Sequence, residues 1–563
     1  MKFQSRRAEA QTPEAVPRSF PIGAEVQNEG THFRVWAPLL NTLEVVERQL
    51  GSSEAGRSVA LTKQADGYFS GLVPGFADGQ LYSFRADQSA QLLPDPASRY
   101  QPEGPHGPSQ VVDAAKYHWR DRGHAGPPAR GQVLYELHIG TFTPEGTYAA
   151  AAEQLGHLVE LGVTIVELMP VAEFPGEFGW GYDGVALWAP THLYGTPDDL
   201  RRFIDRAHGL GLSVILDVVY NHFGPDGCYL KSFSTDYFTD RYANEWGEAL
   251  NFDGENSRPV REFFIENARY WISEYHFDGL RLDATHAILD ASERHVIAEI
   301  NQAARDAGRA LDKRIFIAAE NEKQHAEFAE DPERGGLGCD ALWNDDFHHT
   351  ARVAATGRRE AYYQDYTGSP QELISALRWG YLYQGQYYYW QKQQRGHSAL
   401  QLEAHQFITY LQNHDQIANT LTGERIAQIA EPALVRALTA LWLLAPPTPL
   451  LFQGQEFGAS APFLFFAQHE RDLASLVRKG RREFLVQFPS IATPGASDAL
   501  ADPGDRATFE RCKLDLRERR THDKWYALHK DLLALRRWDP AFQAQRADRM
   551  HGAVLSPRAL VLR

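Results

Sequence analysis

Apolar and polar positions follow two different rhythms along this chain, and the change falls near residue 130. Up to about residue 110, apolar residues alternate with polar ones in short runs, 31–36, 42–46, 68–73 and 80–86, each broken off by Gly, Pro or Asp. Period-two alternation in pieces this short predicts a small β-sandwich over residues 17–110. From Gly131 onward, short continuous apolar runs take over, at 133–139, 164–168, 213–218, 279–283, 315–319, 341–343, 408–411 and 449–452. Between most of them lie stretches with helical period, such as 149–161, 197–209, 293–307 and 432–444. Eight strands with helical crossovers predict a closed parallel (β/α)8 TIM barrel over residues 131–487. An open doubly wound sheet is the alternative, but no Gly-rich phosphate loop follows the first strand.

The remaining segments complete a multidomain plan: an N-terminal β-sandwich, a central barrel and a small C-terminal β-rich domain. Residues 1–16 read as a disordered leader. The Pro-rich run 93–108 reads as an extended connector, and 111–130 as the linker into the barrel. Residues 488–563 predict a helix at 524–537, with Leu528, Leu532 and Leu535 on one face, followed by two short strand-like pieces. A chain of 563 residues is too long for one hydrophobic core, which agrees with about three domains.

Charge and composition narrow the partners. Lys and Arg total 57 against 73 Asp and Glu, a formal charge of −16, which argues against nucleic acid and against anionic membranes. The 12 Trp, 24 Tyr and 30 Phe supply core packing first, but an acidic, aromatic-rich chain also suits a neutral polyhydroxylated ligand. Three widely separated cysteines, Cys228, Cys339 and Cys512, build neither a disulfide framework nor a zinc spacing. The first 16 residues lack the apolar core of a signal peptide. The longest apolar run, 437–445, is too short to span a bilayer. The cytoplasm is the expected location.

Candidate chemistry gathers at strand ends. Arg281 and Asp283 are two residues apart, so on a strand both point to one face, and a carboxylate beside a guanidinium stays ionised, as a nucleophile requires. Taken alone, this could be a structural ion pair. The third strand, however, ends in Asp217, Asn221 and His222, the fifth in Glu320, and the seventh in Asn413, His414 and Asp415. Carboxyls converging on one barrel rim push each other's pKa values apart, and glycoside hydrolysis needs one protonated and one ionised carboxyl.

These segments resemble the four signature regions of the α-amylase family of glycosidases, in order and in spacing. Further stretches carry the likeness over nearly the whole chain: Phe33 to Pro38, Tyr135 to Gly146, Gly179-Trp180-Gly181-Tyr182-Asp183-Gly184, Trp343 to His349 and Gly458 to Phe466. The resemblance implies Asp283 as nucleophile, Glu320 as general acid/base and Asp415 as the third carboxylate, which grips sugar hydroxyls. It implies that Arg281 keeps the nucleophile ionised and that His222, His414 and Tyr182 contact the sugar before the scissile bond. Asp217 matches a structural or hydrogen-bonding carboxylate. Asn221 stands where calcium-dependent relatives place a metal ligand, yet the resemblance here implies no metal and no cofactor.

Within the family, the likeness is to members that act beside a terminal trehalose. It implies a retaining hydrolase of carbohydrate metabolism that cuts the α-1,4 bond next to the trehalose of a malto-oligosaccharide and releases that disaccharide. The alternative is a glucan branching or debranching enzyme, although Gln412-Asn413-His414-Asp415-Gln416 departs from the Ser-His-Asp-Glu-like run of a branching enzyme. A non-catalytic sugar-binding relative should have lost one of Asp283, Glu320 or Asp415, and all are present. Three further expectations follow. The Asp283 and Glu320 carboxyls should lie roughly 5–5.5 Å apart. Burial and Asp283 should raise the Glu320 pKa. The loop after the sixth strand should select trehalose through Asp346, Phe347 and His349. Two departures stand beside the likeness: Glu320 is followed by Asn321-Glu322-Lys323 where Ser-Asp or Asn-Asp is expected, and relatives continue with further strands after Arg563.

Overall fold

All eight apolar runs pair in parallel and in chain order to close a barrel, in the computed structural model that describes residues 18–52 and 54–563. The leader expected at 1–16 lies outside the described residues. The barrel strands are β1 (Leu134–Leu137), β2 (Ile165–Leu168), β3 (Ser213–Val218), β4 (Gly279–Leu282), β5 (Phe316–Ala319), β6 (Ala341–Trp343), β7 (Phe407–Thr409) and β8 (Thr448–Phe452). Pairing of β1 with β8 closes the ring. Every residue of these strands is buried, which explains continuous rather than alternating apolar runs.

Stepping two residues along a strand stays on one face, so the lumen fills in layers. Leu134, Ile165, Ile215, Phe316, Ala341, Ile408 and Leu450 belong to one buried apolar cluster. One step of two further on come Glu136, Glu167 and Asp217, and Arg281 is the register partner of Asp217. A greasy layer therefore carries an ionisable one above it, towards the C-terminal rim. Gly279 opens β4 because a Cβ there would meet the Phe316 carbonyl oxygen at 1.8 Å.

The helix that feeds β4, α1 (Ser257–Tyr275), buries Phe263, Phe264, Ala268 and Ile272 on the face the sequence predicts. His276 stops it in the left-handed region at φ 58°, its N–H returned to the Trp271 carbonyl. That turn aims Phe277 inward and starts β4 at the right depth.

Two antiparallel sheets make the N-terminal sandwich. One is built on Gly30–Trp36 and Tyr68–Pro74, the other on Leu43–Arg48 and Leu81–Ala86. Phe33, Val45, Phe69, Tyr82 and Phe84 fill the space between them. The Pro-rich run that follows is no free connector. Asp95 accepts from Tyr82 Oη at 2.7 Å, and the Arg99 guanidinium sits 4.5 Å from the ring centres of Trp188 and Tyr270. Residues 93–130 form a packed strap between sandwich and barrel. The C-terminal helix, α2 (Asp523–Trp538), packs on the barrel, and the β content beyond it is one hairpin, Gly552–Ser556 with Ala559–Leu562.

Two boundaries differ instructively. The first strand stops at Leu137, because His138 turns to cap a short helix: its backbone N–H donates to Gln453 Oε1 and its Nδ1 bonds Thr141. The expected loop after β6 is the start of a helix, Asp345–Thr356, capped by the Asn344 side chain on the Phe347 N–H.

Candidate active site

The ends of β3, β4 and β5 bring Asp217, Arg281, Asp283 and Glu320 to one point on the rim. Arg281 is completely buried and stands among three carboxyls. Its Nη1 donates to Asp217 Oδ2 at 2.8 Å and to Asp283 Oδ1 at 2.6 Å. Its Nη2 lies 2.9 Å from Glu320 Oε2, and its guanidinium carbon is 4.2 Å from the Trp343 ring centre. Asn221 Nδ2 donates to the second Asp283 oxygen at 3.2 Å, and Tyr182 Oη donates to Asp217 Oδ2 at 2.6 Å.

Strain marks the same place. Ala284, directly after Asp283, takes φ 38° and ψ 50°, a left-handed conformation that a side chain disfavours. The turn presents its N–H to Glu320 Oε2 at 2.9 Å, while Thr285 Oγ1 donates to the Glu320 carbonyl at 2.6 Å. Asn321 Nδ2 in turn supports Thr285 Oγ1 at 3.2 Å.

One cation cannot neutralise three acids. Burial, and then the charges of Glu320 and Asp217, hold Asp283 well above the usual carboxylate range despite Arg281. Burial pushes Glu320 the same way, but Arg281 and the Ala284 N–H outweigh it and leave Glu320 below its ordinary value. This reverses the expected order, which put the raised pKa on Glu320. The cause is geometric: the Arg281 charge stands 2.9 Å from Glu320 Oε2, and the Ala284 N–H donates to that same oxygen.

Around this core lie the other expected contacts. Tyr182 stacks on His414, ring centres 5.2 Å apart at 21°. His222 bonds Asn221 Oδ1 at 2.7 Å, and burial lowers its pKa, so it stays neutral. Asp415 keeps its side chain 41% exposed, open to the cleft, with its Oδ2 3.5 Å from His414 Nε2. Trp246, 44% exposed, stacks beside His222 at 5.9 Å; nothing in its sequence neighbourhood singled it out.

The helix after β6 corrects the selectivity expectation. Asp346 is wholly buried; it accepts from Tyr366 Oη at 2.5 Å and from the backbone N–H groups of Leu382 and Tyr383 at 2.6 and 3.1 Å. Phe347 is equally buried in the core, and His349 packs among Tyr362, Tyr363 and Tyr366. All three side chains are buried. Asp345 is the partly exposed acid of this run: it bonds Tyr410 Oη, and burial pushes its pKa up to about 7.

Among the described residues, two groups place ligand-type atoms within 4.8 Å of one another: His124, His208 and Asp278, and His325, Glu327 and His397. In the first, both nitrogens of His208 already bond Asp121 and Asp278, at 3.0 and 2.8 Å. In the second, the rings stack nearly parallel, 4.1 Å apart at 10°, so their in-plane lone pairs do not converge.

Residues 116–247 match the family model described as "Alpha amylase, catalytic domain". The chain is 40% identical over 527 residues to the malto-oligosyltrehalose trehalohydrolase of Deinococcus radiodurans, covering 92% of this chain and 83% of that one. It is 36% identical over 517 residues to the enzyme of that name from Saccharolobus solfataricus, covering 92% and 87%. Among solved structures, a putative α-amylase from Salmonella typhimurium superposes with a TM-score of 0.87 at 38% identity, covering 96% of this chain and 90% of that one.

Proposed function

The chain belongs to the malto-oligosyltrehalose trehalohydrolases of the α-amylase family, and from that membership we propose which side chains carry the hydrolysis. The enzyme cleaves the α-1,4-glucosidic bond beside the terminal trehalose of a malto-oligosaccharide, yielding trehalose and a shortened glucan. Asp283 attacks the anomeric carbon while Glu320 protonates the leaving oxygen; water, deprotonated by Glu320, then hydrolyses the glycosyl-enzyme with retention. Asp415, His414, His222 and Tyr182 hold the sugar.

The observation that carries the assignment is the sharing of Arg281 between Asp283, hydrogen-bonded to Nη1, and Glu320, whose Oε2 lies 2.9 Å from Nη2. Product analysis on maltotriosyltrehalose beside maltopentaose tests the reading. Free trehalose from the first, slow turnover of the second and an α-configured sugar in early proton NMR spectra are expected. Equal turnover of both, or a β product, refutes it.

The cytoplasm is the compartment that best suits the chain: its three cysteines are all free thiols. No helix among the described residues is long and apolar enough to cross a membrane.

A further inference from the structure

Below the rim stand two glutamates that the proposed reaction does not use. Glu136 on β1 and Glu167 on β2 are register partners across a parallel pair, and both are fully buried. Glu136 accepts twice from one residue, from His414 Nδ1 and, at 3.3 Å, from the His414 backbone N–H. The other ring nitrogen, Nε2, lies 3.5 Å from Asp415 Oδ2. An imidazole with carboxyl oxygens at both nitrogens carries a hydrogen on each, because a bare ring lone pair would otherwise face oxygen lone pairs. The ring cannot turn away: Tyr182 covers its face, and Trp180 meets it edge-on at 5.2 Å.

We propose that Glu136 is a positioning residue for the hydrolysis: it keeps His414 doubly protonated and aims its Nε2–H, beside Asp415, at a hydroxyl of the bound sugar. This rests on the assignment of His414 and Asp415 to the substrate cleft. His414 is then a second cation, with Arg281, in a site where Asp217, Asp283, Glu320 and Asp415 crowd together.

The charged neighbours favour the imidazolium on balance. Glu136 and Asp415 favour charge on the ring, as do Asp217 and Glu320 further out; Arg281 opposes it. His138 is neutral, its pKa lowered to about 4 by burial foremost. Burial also pulls His414 down, yet Asp415 and Glu136 outweigh it and push it up to about 10. Glu167 completes the division of labour. Neither of its oxygens has a hydrogen-bond partner, and burial first, then Glu136, raise it well above the carboxylate range. Of two adjacent glutamates, one bonds His414 twice and the other has no hydrogen-bond partner.

Isosteric variants of the pair separate this role from simple packing. Glu136→Gln removes the partner charge, so His414 drifts towards its ordinary range. Its kcat/KM on maltotriosyltrehalose should then fall by about tenfold or more, relative to the wild type, between about pH 6 and pH 8. Glu167→Gln exchanges one neutral group for another and should keep the wild-type pH profile. Histidine-labelled full-length enzyme supplies the direct readout: the His414 carbon resonances, assigned with His414→Asn, should remain those of an imidazolium through about pH 8. A wild-type His414 that titrates near pH 6–7 overturns the proposal, as does a Glu136→Gln loss of the same size at every pH. If that variant does not fold, the wild-type resonance decides alone. Activity in Asp283→Asn would overturn the catalytic assignment without touching the state of His414, so the two failures are distinguishable.

Discussion

His208 at the base of the barrel and His414 at the rim adopt the same posture, each ring held between two carboxyls. Their surroundings differ in balance. At the base, Asp121 and Asp278 meet His208, His276, His124 and Lys313, all within 3.1 Å of one carboxyl or the other. Burial opposes both acids, but His208 and its neighbours hold Asp121 and Asp278 well below the usual range, and Asp278 keeps His208 protonated against its own burial. At the rim, five carboxyls, those of Glu136, Asp217, Asp283, Glu320 and Asp415, share Arg281 and His414. A saturated cluster fixes chain segments; an over-acidic one suits a sugar ring that becomes positive as its bond breaks.

The largest expected effect tests that contrast directly. Asp283→Asn should lower kcat by roughly 10⁴-fold or more, yet leave the melting temperature unchanged or higher, because it removes one acid from a crowded site. A clear loss of stability would show that the rim, like the base, is built for folding.

At the base the signs invert. Asp278→Asn strands His208 beside Lys313 and should cost about 3–5 kcal/mol in denaturant unfolding, with kcat of the surviving folded enzyme within about twofold of the wild type. A kcat collapse without destabilisation would erase the distinction between the two ends.

A third, smaller effect sharpens the position of the β6 helix. Asp346→Ala strands three donors and should destabilise by about 1–3 kcal/mol, lowering turnover of maltotriosyltrehalose and maltopentaose in parallel. A changed ratio between them would return Asp346 to the selectivity role that its burial denies it. Asp345→Asn should instead remove an inflection near pH 7 from the kcat/KM profile, since its carboxyl is pushed up to about 7.

The smallest effect concerns acid. Burial lowers His138 to about 4 and His348 to about 3, so the unfolded chain binds protons that the native one refuses. Their contribution to stability is complete above about pH 6.5 and is lost as pH falls through the native values of about 4 and 3. Melting temperatures that hold level from pH 7 to about 4 would contradict this sign.

How much of this could be read from residues alone depends on how local the cause was. Asp217, Asp283 and Glu320 were legible because each lies at or just past the end of a short apolar strand, and parallel strands in order deliver their ends to one rim. The carboxyl order was not legible, because Glu320 owes its low pKa to Arg281 and to the Ala284 N–H, contacts set by a strained turn. Asp346 misled for the opposite reason. Asn344-Asp345-Asp346 carries a helix-start signature, a capping side chain followed by first-turn acids, and a helix there turns the second acid into the core. Glu136 was quoted only for its likeness to relatives; its partner lies 278 residues further along, at His414.

The strap of residues 93–130 bears on how the chain could be divided. A fragment begun at Gly131, where the apolar rhythm changes, would discard Arg99 from between Trp188 and Tyr270, and Trp119 from its stack on His276 at 3.9 Å. It would also remove Asp121, leaving His208, His276 and Lys313 without that counter-ion. The seam between sandwich and barrel that is visible in the letters is therefore the wrong place to cut. A minimal catalytic unit has to carry the strap with it, and because Leu92–Leu93 and Ser109–Gln110 also pair with Leu81–Ala86, the strap takes the sandwich along.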